Sequence, residues 1–202
     1  MLNVLLMDHD FYQRKGLSIL IYEQLAEKGY CPVCFLLPSQ EENQNLANIL
    51  FRKDMVTIHV FNKIQNNNRD DLIQEEPQKL TIHVPFKIRH QSLSDITIKI
   101  SKILTIAKSD YLSLINKDEV CWRFGLKQYA QLSSTESDVM MLIGRGYDST
   151  DISKMLKRSR KTISTHYRNA SRKIGVSNRA EFYRFASLVA SCQHGQRNTI
   201  CL

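Results

Sequence analysis

The hydrophobic pattern of this 202-residue chain changes once, at Leu132, and that change limits the fold more than any single motif. Ahead of it, short apolar runs alternate with amphipathic stretches. Residues 2–7 (LNVLLM) read as a buried strand ending at Asp8. Residues 11–28 then carry Leu17, Leu20, Ile21 and Leu25 at helical spacing. Residues 33–37 form a second apolar run, 46–51 predict a helix, and 55–61 (MVTIHVF) and 80–84 predict strands. Residues 92–106 predict a helix, opened by Ser92 and Asp95 in capping-box spacing. Alternating strand and helix predicts a parallel α/β sheet. Residues 62–78 are polar and asparagine-rich and read as a loop.

After Leu132 only helical spacing remains. Ser133 and Glu136 form a capping box ahead of Val139, Leu142 and Ile143, and Gly144 and Gly146 weaken or end that helix. Ser149 or Thr150 opens a short second helix with Ile152, Met155 and Leu156. Ser159 and Gly175 bound a third, and Ser177 or Asn178 opens a fourth with Phe182, Phe185 and Val189. The expected organisation is therefore an α/β domain over 1–107, a linker over 108–131, an all-α four-helix unit over 132–192 and a polar, frayed tail over 193–202.

The third of these helices, SRKTISTHYRNASRKIG, is basic and rich in hydroxyls. At about 100° per residue, Ile163, Tyr167, Ala170 and Ile174 share one side, which faces a core. Lys161, Thr165, Arg168 and Arg172 share the opposite side, with Ser164 at its edge. The charge of the whole chain follows the same division. Residues 129–202 hold 12 Lys and Arg against 5 Asp and Glu, a net +7, while residues 1–128 hold 16 against 15. Segregated positive charge points to a polyanion partner. A membrane-surface role is disfavoured, because the apolar side of this helix reads as the core of a four-helix unit and no large hydrophobes remain for a bilayer.

No apolar run is long enough to span a bilayer. The opening MLNVLLMDHD has no basic region and meets acid at Asp8, so no secretory leader is expected and a cytoplasmic location is. The five cysteines do not suggest a disulfide framework. Cys31 and Cys34 have C-x-x-C spacing, but they lead into a strand-like run and lack a second ligand pair, so buried thiols are expected rather than zinc or redox chemistry. No enzyme activity, cofactor or metal is expected.

The line LSSTESDVMMLIGRGYDSTDISKMLKRSRKTISTHYRNASRKIGVSNRAEF resembles the DNA-binding domain of LuxR/FixJ (NarL-type) transcription regulators. The likeness rests on Leu132, Ser133, Glu136, Val139, Gly146, Ile152, Leu156, Ser159, Thr162-Ile163, His166, Lys173 to Val176 and Arg179-Ala180. It implies a helix-turn-helix whose recognition helix spans 159–174, with base-edge contacts from Ser164, Thr165 and Arg168. It further implies phosphate contacts from Arg160, Lys161, Thr162, Arg172 and Lys173. Each has a plainer reading: Thr162 as a first-turn residue, Arg172 and Lys173 as solvated charge, and His166 as a packed side chain. The implied partner is double-stranded DNA, bound as a homodimer or as a heterodimer with another response regulator. Helix 178–190 offers either a dimer surface or core packing through Phe182, Phe185 and Val189.

The opening LNVLLMDHDFYQRKGL resembles the first strand and helix of a response-regulator receiver, through Asp8, Arg14, Gly16 and Leu17. This implies a flavodoxin-like parallel sheet. A working receiver holds Mg²⁺ through adjacent acids after its first strand. Here His9 takes the second place and Asp10 comes one step late. If MVTIHVF is the third strand, His59 stands near the phosphoacceptor position with no carboxylate after it, and Lys87 alone matches the receiver's lysine. The expected domain is thus receiver-like without phosphorylation chemistry. The LS-x-TES and SL-x-DI segments (Leu132 to Ser137, Ser92 to Ile96) are similar to enteric regulators of capsule and fimbrial genes, some of which partner an orthodox response regulator. A second reading is a regulator that acts mainly by capturing another transcription factor.

Overall fold

The computed structural model describes residues 1–8, 10–27, 32–38, 42–62, 78–88, 91–192 and 196–202. Strand β1 (Leu2–Leu6) is followed by helix α1 (Phe11–Glu27), β2 (Val33–Leu36), α2 (Glu42–Leu46), β3 (Ile49–Arg52), β4 (Met55–Phe61), β5 (Lys79–Pro85) and α3 (Leu93–Ala107). Asp10 caps α1, its Oδ1 accepting from the backbone of Tyr12 at 2.8 Å and Gln13 at 3.2 Å. Ser92 caps α3 as expected, accepting from Asp95 N at 3.1 Å. Leu17, Ile21 and Leu25 of α1 and Ile96, Ile100 and Ile103 of α3 lie in one buried cluster with Val4, Ile49, Ile58 and Ile82 of the sheet.

The α/β class is as expected, but the sheet is mixed rather than wholly parallel. Its order is β2-β1-β3-β4-β5-β6. β1 runs parallel to β2 and β3, whereas β4 is antiparallel to both β3 and β5. Only Lys53 and Asp54 separate β3 from β4. A parallel crossover needs a dozen or more residues, so the chain turns back as a hairpin. The segment expected as a helix over 46–51 divides into the end of α2 and β3. MVTIHVF is consequently the fourth strand, not the third, and His59 lies in its interior. The loop expected over 62–78 falls mostly outside the described residues.

The expected linker is a packed connector. It holds helices α4 (Leu112–Ile115) and α5 (Lys117–Arg123) and a 3-10 turn (Gln128–Ala130), and Tyr111 just before α4, Leu114 and Val120 are buried against the sheet's core. Four helices follow: α6 (Ser134–Gly144), α7 (Ser149–Met155), α8 (Arg160–Ile174) and α9 (Arg179–Ser191). The Ser133–Glu136 capping box is complete in both directions. Asp148, not Ser149 or Thr150, caps α7, and Asn178 caps α9. Gly144 is where α6 crosses α9, since a Cβ there would lie 2.2 Å from the carbonyl oxygen of Ala186.

The described part of the tail, residues 196–202, is ordered against the rest of the chain. Residues 196–199 form β6, pairing in parallel with β5 from Leu80↔Gln196 to His83↔Thr199. Cys201 is buried in the core of the helical unit, beside Met55 of β4 and Phe185 of α9. The two halves of the chain are joined by this strand, by that shared cluster, and by ion pairs from Lys87 to Glu181 at 2.7 Å and from Arg184 to Asp54 at 3.9 Å.

Candidate nucleic-acid interface

The interface is built on α8, which is set by local chemistry at both ends. Ser159 Oγ accepts from Thr162 N at 3.1 Å and shares a hydrogen bond with the Thr162 hydroxyl at 2.8 Å. Gly175 closes the helix at φ 76°, a backbone region open to glycine without strain. Ile163, Ala170 and Ile174 are buried, and Tyr167 meets Phe182 edge-on at 4.8 Å between ring centres. That contact fixes the rotation of α8 about its axis and therefore which residues face outward.

Arg160, Lys161, Thr165, Arg168 and Arg172 are exposed, with Ser164 half-buried beside them. Lys161, Thr165, Arg168 and Arg172 fall within an arc of about 60°. Arg168 Nη2 donates to Ser164 Oγ at 3.3 Å, and Thr165 Oγ1 donates to Lys161 O at 3.1 Å. The guanidinium of Arg168 thus lies along the outer face with its remaining donors open to a ligand. No acid sits in the first turn of α8, so that turn itself adds no negative charge at the positive end of the helix dipole. Arg160 donates to Thr150 Oγ1, tying the start of α8 to the start of α7.

Lys173 is not part of this face. Its ammonium donates to Glu136 Oε2 at 2.7 Å and to Gln131 O at 2.8 Å, and its side chain is only 16% exposed. The helical wheel shows Lys173 off the apolar stripe but cannot show the carboxylate waiting 37 residues away. Burial works to raise the Glu136 carboxyl, yet the Lys173 ammonium and the Ser133 N–H outweigh it and hold it below its usual range. Phe182, Phe185 and Val189 are likewise buried within the chain, as core packing predicts. Thr162 sits half-buried on the flank of α8, its hydroxyl already engaged by the cap.

Three cations that the sequence reading did not single out border the face. Lys154 lies in the last turn of α7, and Lys157 and Arg158 lie in the turn before α8; all three are exposed. Lys157 adopts φ 51°, which makes the turn tight. The signal was available as plain charge in the line MLKRSRK.

The described residues that the sequence reading set against a receiver site are engaged in other contacts. Asp10 is spent on capping α1, and Asp8 Oδ1 accepts from Asp10 N at 3.0 Å. His59 is buried with Nδ1 3.0 Å from Ala47 O, and burial followed by the charge of Lys79 pushes its imidazole down to about 4. Lys87 Nζ is held by Glu181 and, at 3.2 Å, by Ser177 Oγ. His9 and Cys31 lie outside the described residues. Among the described residues no three His, Cys, Asp or Glu side chains come together as a metal site, and no helix is long and apolar enough to cross a membrane.

Residues 130–186 match the model of the luxR family of bacterial regulatory proteins. The chain is 33% identical over 75 residues to the transcriptional activator protein BglJ of Escherichia coli K12. That match covers 37% of this chain and spans about a third (33%) of the length of that relative. The RcsB response regulator of Salmonella typhimurium overlays with 18% identity and a TM-score of 0.29, covering 94% of this chain and 100% of that one. A structure of two RcsB dimers bound to two parallel DNAs overlays with 20% identity and a TM-score of 0.31, covering 93% and 98%. At these scores the overlays carry no argument about arrangement.

Proposed function

We propose that this chain, which carries a LuxR-family DNA-binding regulatory domain at residues 130–186, reads specific duplex sequences through α8 to control transcription without a phosphoryl input. The observation that supports this reading most is the outer face of α8. It offers Arg168, Thr165 and Ser164 toward base edges, with Arg160, Lys161 and Arg172 around them for phosphates, inside the matched domain. Arg168 can donate two bonds to guanine O6 and N7, and the Thr165 methyl can meet a thymine methyl. Lys154, Lys157 and Arg158 extend the phosphate-facing charge, and Lys173 drops out of it. Binding takes place in the cytoplasm, as a homodimer or beside a partner response regulator, on half-sites about one helical turn apart. Capsule or fimbrial genes as targets rest on the LS-x-TES and SL-x-DI segments alone. Independence of phosphorylation is supported by Asp10 and Lys87, each engaged in a structural contact.

The test is a salt titration of binding to random and to selected duplexes, with the full-length protein and Arg168→Ala. The expected result is a steep salt slope on both duplexes and a loss of roughly 1–3 kcal/mol of discrimination in the variant. Weak, unselective binding that the variant leaves unchanged would remove α8 as the reader. Capture of another transcription factor would then become the working hypothesis.

A further inference from the structure

Phe182, Phe185 and Val189 of α9 are buried, while α1 carries an exposed apolar face. Phe11, Tyr12, Ile19 and Tyr22 of α1 are 63%, 84%, 47% and 57% exposed. With Lys15 they fall within an arc of about 100° on the side of α1 opposite buried Leu17, Ile21 and Leu25. Four large apolar side chains exposed on one helix face exceed the scattered exposure usual for a surface helix. The face continues into an open groove of about 470 Å³ beside Phe11 and Lys15, floored by Leu36 and edged by Leu37.

We propose that this face of α1 is the self-association surface of the chain, and that it pairs antiparallel with α1 of a second copy about a two-fold axis at Ile19. The inference deepens the dimer reading above and rests on it. The charges choose the occupant and its direction. Basic Arg14 and Lys15 lie in the first half of α1, acidic Glu23 and Glu27 in the second. Lys15 and Glu23 lie four residues on either side of Ile19, about 6 Å along the axis. A two-fold at Ile19 brings each copy's Lys15 level with the other's Glu23, in the isologous pattern of a closed dimer. A parallel pairing would set Lys15 against Lys15 and Glu23 against Glu23.

Sedimentation of the full-length protein across a concentration series tests this, with circular dichroism to confirm folding. Lys15→Glu should raise the dimer dissociation constant about tenfold or more, and Ile19→Glu should yield monomer. The double exchange Lys15→Glu with Glu23→Lys should return the constant to near the wild-type value. A dimer that all three variants leave intact would overturn the α1 surface while sparing the dimer reading. A chain that stays monomeric at every concentration would overturn the α1 surface too. The dimer reading would then be judged separately, from whether a duplex with two half-sites takes up two chains cooperatively.

Discussion

Two glutamate–lysine pairs in this chain share a contact length and differ in depth. Glu136 meets Lys173 at 2.7 Å, and Glu181 meets Lys87 at 2.7 Å. Each glutamate also accepts a backbone N–H at the head of a helix, from Ser133 and from Ser177, both at 2.8 Å. The first pair joins α6 to α8 with its lysine and glutamate side chains 16% and 6% exposed. The second joins the end of β5 to α9, at 28% and 22%. A buried charge that loses its partner is stranded, whereas a half-exposed one is rescued by water and screened by salt. The same chemistry therefore holds the helical unit together in one place and only tunes the seam between units in the other.

Glu136→Gln should sharpen that contrast most. The amide still accepts from Ser133 N but leaves the Lys173 ammonium without its counter-charge. A loss of about 3 kcal/mol or more in urea unfolding is expected. A somewhat smaller effect should follow acid. Because the folded Glu136 carboxyl titrates below its ordinary value of 4.5, its stabilisation is complete above that value and is lost as pH falls through the lower, folded one. Thermal melts of wild type and Glu136→Gln should therefore converge on acidification and separate again toward neutrality. The comparison breaks if the gap between them is independent of pH. Lys87→Met should have the smallest effect, a fall of roughly 2 °C in melting temperature that shrinks in high salt. If it rivals Glu136→Gln, the seam is a rigid part of the fold and not an adjustable one.

The helical unit was legible because its instructions are local. Ser159 and Gly175 mark α8 three or four residues from the groups they satisfy, and the apolar stripe repeats within a turn. Asp148 escaped as a cap because Asp, Ser and Thr stand in succession there, each able to accept from the same N–H groups. The sheet hid more. Ile49 to Phe51 is too short for periodicity to separate strand from helix. The Lys53-Asp54 turn lacks the Asn-Gly or Asp-Gly signal that marks most two-residue hairpins. β6 reads as polar tail because what makes it a strand is the open edge of β5. Of the residues read as DNA-facing, Lys161, Thr165, Arg168 and Arg172 stand exposed on α8, on the side where the wheel placed them. Lys173 failed for the reason β6 did: its partner is distant in sequence.

The register of β6 has a consequence for the order in which the molecule is made. Leu80 leaves the ribosome long before Gln196, its neighbour in the finished sheet. Everything from α3 to α9 is, in spatial terms, an insertion between two adjacent strands. While that insertion is being translated, β5 presents an unpaired edge to its surroundings. Vectorial synthesis thus makes β5 wait until the whole helical unit has been translated, and in a nascent chain stalled before residue 196 the border of the sheet is β5 rather than β6.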